Sequence, residues 1–369
     1  MSFHTMAYAA LLAASAAPDA PACFTGREVA IASTAPGIRI AGELRVPRGE
    51  GRRPAIMMIT GSGPHTRDQM ISQTPSFRML ADFFSSLGFV VLRTDARGFG
   101  GSTGPDDEEQ TTTAERVEDN RAALAFLRSR PEVDPQRIVL FGHSEGAMIA
   151  AELGAADPGL AALILLSTSA IPGEDVMTWQ GTAGLRRRND PALPAVQAQF
   201  RRFLRYLASG SEDRAEFRAI AADFLRAHGG AAATMDPAVG ERALEGYLRS
   251  RWDRYFAGYD PRPVLARLRV PVIAIFAEND QNTPAETHMP ALVEALAGGE
   301  HGDFSATLLP DQDHFYLEYQ GRTLERHRPG EMAVADELYR LLAAELGRRL
   351  PLPTPCSPPT PAVPEPSTR

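Results

Sequence analysis

Ser144 lies between Gly142 and Gly146 in "FGHSEGAMIA" (Phe141–Ala150), after an apolar run and before an alanine-rich one. A serine hydroxyl is a weak nucleophile near neutral pH; it needs a base, and the base needs an acid to orient it. Where such a serine sits on a sharp strand-to-helix turn, the chain order is serine, then Asp or Glu, then histidine. The acid slot, after the apolar run "VIAIF", offers Glu278 and Asp280, and spacing alone leaves both open. The base slot, after "SATLL", offers His314. Of the eight histidines, His314 alone directly follows the last expected strand; His288 and His301 precede that strand, His327 comes well after it, and His65 and His143 precede the serine.

The chemistry open to such a set is covalent acyl transfer, which also requires donors for an oxyanion. One is the backbone N–H of the residue after the nucleophile, here Glu145. In "TGSGPHTRD", Gly61 and Gly63 let the backbone turn its N–H groups inward, which makes Ser62 N–H the second expected donor. The Glu145 side chain has two readings. It is a first-turn acid favoured by the helix dipole, or a recognition group for a cationic substrate.

The elements that must hold these residues alternate. An opening hairpin turns at Pro36-Gly37 and is followed by the strand "AIMMIT", a helix over "SFRMLADFFSSLG" and the strand "FVVLRTD". Thr112 to Glu115 reads as a capping box for the next helix; the strand "RIVLFG", the serine turn and the strand "LAALILLS" follow. From about Pro172 to Tyr259 the pattern is purely helical, with Val196, Phe200, Phe203 and Leu207 on one face. Alternation then resumes with "VPVIAIFAE", the helix "PALVEALAG", "FSATLLP" and a last helix over Glu331–Arg348. Near-continuous apolar strands alternating with helices imply an α/β protein: a mostly parallel sheet covered on both faces, with the helical stretch as a cap over the strands' C-terminal ends. The expected division is a leader or signal segment (1–26), the first part of the core (27–171), the cap (172–259), the second part of the core (260–350) and a disordered proline-rich tail (351–369).

Composition narrows the function. The chain has 369 residues and a net charge of -8, with its arginines scattered, which speaks against a nucleic-acid partner. All 38 basic residues are arginine, so a P-loop lysine, a Schiff-base lysine and a Ser-Lys dyad are excluded. The two cysteines, Cys23 and Cys356, lie in seemingly peripheral end segments with no metal-ligand spacing, and no metal or organic cofactor is expected. In "MAYAALLAASAAPDAPAC", Ala14-Ser15-Ala16 and Ala20-Pro21-Ala22 each fit the small-residue pattern before a cleavage point, which reads as export to the periplasm or medium. "MSFHT" lacks Arg and Lys, which keeps a cytoplasmic leader as the alternative. No other apolar run approaches the roughly 20 residues of a membrane span, so no stable membrane insertion is expected. Oligomeric state is not readable.

With these residues in place, the sequence from about Arg27 to Arg348 resembles the alpha/beta-hydrolase superfamily. Within it, the chain is similar to bacterial serine esterases that carry a Gly-Ser-Gly-Pro loop and a Gly-His-Ser-Glu-Gly elbow, here Gly61–Pro64 and Gly142–Gly146. "DARGFGGS" (Asp95–Ser102) matches a further loop of these hydrolases, and the resemblance implies a structural role for it. "YDPRPVLARLRVPVIAIFAENDQNTP" resembles their segment leading to the acid strand, and that alignment puts the acid on Asp280. The resemblance implies hydrolysis of a small-molecule carboxylic ester by Ser144, His314 and Asp280. Thioester or amide cleavage, acyl transfer and a catalytically inactive binding protein are the alternatives. The family usually has Gly where Ala277 and Asp311 stand. Trp179 and Trp252 of the cap are expected beside an apolar acyl pocket.

Overall fold

The computed structural model describes residues 23–105, 107, 110–299, 301–319 and 331–355. The expected opening hairpin is β1 (Phe24–Ala32) paired antiparallel with β2 (Arg39–Pro47), with Gly37 at φ 76° in the turn. Then come β3 (Arg53–Ile59), α1 (Ser76–Ser86), β4 (Val90–Thr94), α2 (Thr113–Arg128), β5 (Val133–His143), α3 (Glu145–Ala156) and β6 (Ala162–Leu166). After the cap follow α10 (Arg262–Leu265), β7 (Val272–Ala277), α11 (Ala285–Gly298), β8 (Phe304–Leu309) and α12 (Asp336–Arg349). The eight strands lie in the order β1-β2-β4-β3-β5-β6-β7-β8, antiparallel for the first two pairings and parallel from β4 onward.

Period-2 alternation divides the core between the two faces of this sheet. Met57, Leu92, Leu140 and Ala274 point to one face, where α2, α3 and α11 cover them. Ile56, Met58, Val91, Phe141 and Ile275 point to the other, against α1 and α12. Both faces being apolar explains why these strands read as continuous hydrophobic runs. Thr112 forms the expected capping box with Glu115 at the start of α2, so the local signal for that helix end was sufficient.

The helical stretch expected as a cap consists of α4 (Gly173–Gly181), α5 (Ala183–Arg187), α6 (Leu193–Ser209), α7 (Arg214–Ala227), α8 (Pro237–Arg249) and α9 (Arg251–Ala257). Phe200, Phe203, Leu207, Phe217, Ile220 and Leu244 give it a core of its own. Met148 of α3 belongs to that cluster, so the helix that follows the elbow also seats the cap.

Four expectations need correction. β1 begins at Phe24, inside the segment read as a leader, because its pairing with β2 runs from Phe24 opposite Pro47. The helix read as starting at Pro290 starts at Ala285 and carries Pro290 inside it. The final helix starts at Asp336, since Ala333 and Val334 pair with Leu317 and Glu318 in a small ladder first. The termini are also less peripheral than their composition implies. Pro353 and Thr354 lie against Gly88 at φ 93°, and Cys23 is buried and disulfide-bonded. The only other cysteine of the sequence is Cys356, outside the described residues, as are most of the leader and tail readings and His327.

A native disulfide stabilises a fold by about 2–4 kcal/mol. Reduction by dithiothreitol, or Cys23→Ser, is therefore expected to lower the melting temperature. Identical melting curves with and without reductant would contradict this.

Candidate active site

The elbow is a backbone constraint before it is a site. Ser144 sits at φ 56° and ψ -121° between the end of β5 and the start of α3, a conformation that costs a non-glycine residue free energy. Its N–H donates to Leu166 O at 2.9 Å, which ties the turn to β6. A Cβ on Gly142 would stand 2.2 Å from Gly146 O, and one on Gly146 would stand 2.2 Å from Ile59 O. Both glycines are therefore required by close approach, and α3 starts directly against β3.

The structure places Asp280 and His314 in contact. Asp280 follows β7, and its Oδ2 accepts the His314 Nδ1 proton at 2.8 Å. Its own loop adds three bonds: Oδ1 accepts the N–H groups of Asn282 and Thr283, each at 2.8 Å, and Oδ2 accepts the Thr283 hydroxyl at 2.8 Å, while Ser167 after β6 also bonds the carboxylate. Burial pushes the Asp280 carboxyl up, but the neighbouring His314 and these donors outweigh it and hold its pKa at about 2. Glu278, the other candidate, is exposed and accepts Asp311 N–H. Asp311 stands at φ 57°, which accounts for the glycine usual at that position. The backbone carbonyl of His314 lies 2.7 Å from the ring of His143, the residue before Ser144, so the base loop rests on the elbow.

Ser62 lies in the loop after β3, which is packed on the elbow: a Cβ on Gly61 would meet Ser144 Cβ at 3.3 Å. Arg116 Nη2 donates to Thr60 O at 3.0 Å and Gly61 O at 2.9 Å, and Gly61 N–H donates to Gln69 Oε1 at 2.9 Å. Among the described residues no acceptor takes the amide of Ser62 or of Glu145. Both amides are thus left without a protein acceptor among the described residues.

The Glu145 side chain settles between its two readings against recognition. It is buried, accepting the Thr113 hydroxyl at 2.6 Å and the Trp252 indole N–H at 2.9 Å while pairing with Arg116. It joins α2, the elbow and the cap, and holds no open charge. A cavity of about 160 Å³ opens beside the loop after β3, lined by Ser62, Gly63, Ala96, Phe99, Glu145 and Trp252. The Asp95–Ser102 loop thus lines a cavity as well as bracing the fold, where Arg97 clasps Asp119 and Asp95 holds Arg67. Trp179 is placed elsewhere: its indole N–H donates to Gln281 O beside the acid, and Arg186 lies 3.3 Å over its ring.

Sequence reasoning missed Thr113, Arg116, Gln69, His143, Thr283 and His288. Only Thr283 had a local signal, an Asp followed three residues later by Thr in a loop. Thr113, Arg116 and His288 meet the site only through contacts distant in sequence, and nothing local marks the bonds that His143 and Gln69 make. Among the described residues no group of three or more His, Cys, Asp and Glu side chains is placed to hold a metal ion, and no helix is long and apolar enough to cross a membrane.

Strand order and the strained strand-to-helix turn are those of the alpha/beta-hydrolase fold. The chain has that fold and resembles esterases of the alpha/beta-hydrolase superfamily. A family profile described as "Serine aminopeptidase, S33" matches residues 70–238. Over 138 residues the chain is 32% identical to esterase EstD of Thermotoga maritima, covering 37% of this chain and 32% of that protein. Over 122 residues it is 31% identical to esterase FrsA of Klebsiella pneumoniae, covering 33% of this chain and 27% of that protein. The matched segments therefore span about a third or less of these relatives' own length. The structure also matches the esterase Pf2001 of Pyrococcus furiosus, with a TM-score of 0.52 at 14% identity over 89% of this chain and 94% of that one, a likeness of fold.

Two predictions follow from buried groups. Burial lowers His143 to about 3 and His288 to about 4 from an unperturbed 6.5. Both are neutral in the fold, so the unfolded chain binds more protons below pH 6.5. Their contribution is complete above that value and falls on acidification by up to about 1.4 kcal/mol per pH unit for each histidine. Asp280, depressed from 3.8, adds to the loss only below about pH 4. Denaturant titrations should show stability declining between pH 6.5 and 4; a flat profile there would contradict the assignment. Glu145→Gln breaks a buried pair and is expected to cost about 3–5 kcal/mol, with no change in preference between cationic and neutral substrates. A variant of undiminished stability, or one with altered charge preference, would contradict the anchoring role.

Proposed function

We propose that the chain is a serine hydrolase that cleaves carboxylic esters through an acyl-enzyme. The observation that carries this reading is the buried Asp280–His314 pair beside a serine held at a strained elbow. Ser144 Oγ attacks the acyl carbon while His314 Nε2 takes its proton. The carbonyl oxygen becomes an oxyanion that accepts from Ser62 N–H and Glu145 N–H. Collapse breaks the ester C–O bond, and His314 returns the proton to the leaving alkoxide. Water repeats the sequence and releases the acid. Asp280, ionised at every working pH, keeps the Nδ1 proton in place and stabilises the imidazolium.

A peptidase reading is favoured by the serine aminopeptidase profile. An aminopeptidase must hold a substrate ammonium, and the Glu145 carboxylate next to the elbow is already satisfied by Arg116, Thr113 and Trp252. That supports the ester reading over it. We also propose export, since disulfides persist in oxidising compartments and Cys23 is disulfide-bonded. N-terminal sequencing from the native host checks this: a mature start after residue 16 or 22 is expected, and an intact Met1 or Ser2 would rule it out.

Hydrolysis of p-nitrophenyl esters from acetate to dodecanoate is expected to vanish in Ser144→Ala and to drop about 10⁴-fold in kcat in Asp280→Asn. Activity surviving in Ser144→Ala would overturn the nucleophile. Cleavage of aminoacyl p-nitroanilides in place of esters would favour the peptidase reading.

A further inference from the structure

Behind the reacting groups runs one directed chain of hydrogen bonds. Gly61 N–H donates to Gln69 Oε1 at 2.9 Å. An amide N–H can only donate, so the carboxamide oxygen of Gln69 must face Gly61 and its NH2 must face the other way. That NH2 stands 3.1 Å from His143 Nδ1, which therefore accepts and carries no proton. The imidazole proton is on Nε2, which donates to the backbone carbonyl of His314 at 2.7 Å. Gln69 and His143 are both buried, and the rings of His143 and His314 stand 4.7 Å apart. The burial that lowers His143 to about 3 keeps it neutral, as this direction of bonding requires.

We propose that His143 and Gln69 are positioning residues that lock the backbone of His314 to the Gly61–Ser62 loop, so that base and oxyanion donor keep one fixed separation. The inference rests on the serine-hydrolase reading above. It deepens that reading by giving a task to a histidine that spacing had placed outside the reaction. Each link is polar and directional. A well-packed apolar side chain at position 143 would fill the space and leave the His314 carbonyl without its donor. A shift of about 1 Å in a reacting group can cost a hundredfold in rate.

The test compares the full chain with His143→Leu, His143→Gln and Gln69→Met. His143→Gln keeps an N–H donor near the Nε2 position, and Gln69→Met keeps length while removing both bonds. Two readouts are taken: kcat and KM on p-nitrophenyl butyrate, and the rate of covalent labelling by a fluorophosphonate, which needs the serine and its base but no particular acyl group. Melting curves establish that each variant is folded. His143→Leu and Gln69→Met are expected to lose about 10- to 100-fold in kcat and labelling rate with KM unchanged. His143→Gln should recover most of the loss. Wild-type rates in His143→Leu, or a His143→Gln as slow as the leucine variant, would overturn the proposal. If His143→Leu does not fold, Gln69→Met against His143→Gln decides it on the same criterion. A wild type that the fluorophosphonate does not label would overturn the hydrolase reading itself, whereas equal labelling of all four proteins would overturn only the positioning role.

Discussion

The first turn of α3 approaches the end of β3 so closely that only glycine fits at position 146. Much of the site follows from it. With α3 pressed against β3, the turn from β5 has no room to relax, and Ser144 is held in its strained conformation. The same contact brings the loop after β3 against the elbow, so Gly61 and Ser62 arrive beside the serine without any element devoted to carrying them. It also buries Glu145, whose charge then requires Arg116 and Thr113 from α2 as partners. A buried charge with one partner removed is costly, so the helix, the loop and the cap are committed to one another.

Much of this was legible in the chain. Strands covered on both faces leave continuous apolar runs, and residues at their C-terminal ends fall in a fixed order. That made Ser144 and His314 readable and left Glu278 and Asp280 open for the acid; the family resemblance pointed to Asp280, and the structure places it 2.8 Å from His314. The supporting polar groups were not readable, for a physical reason. His143 meets His314 across 171 residues and Trp252 meets Glu145 across 107, and such pairs leave no periodicity in either partner's neighbourhood. Position alone gave Glu145 two readings, a first-turn acid or a recognition group, because helix-dipole arguments do not report burial. The termini were misread for a related reason. Composition marks a proline-rich segment as unable to build a core, yet not as unable to lie against one, as Pro353 does at Gly88.

The cap is attached differently from the core it covers. Its own aromatic cluster makes it a separate packing unit, and it meets the sheet domain partly through single directed bonds. Trp179 and Gln180 donate to the carbonyls of Gln281 and Asn282 in the acid loop, and Trp252 donates to Glu145 at the elbow. Each bond joins a side chain of the helical stretch to the loop of Asp280 or to the first turn of α3 beside Ser144.

Those two indoles are the only tryptophans in the chain. Its tryptophan fluorescence therefore originates where the helical stretch meets the sheet domain, one indole bonded to the loop of Asp280 and the other to Glu145 beside Ser144. The sheet holds no tryptophan, so the emission reports on that seam alone, with no label required.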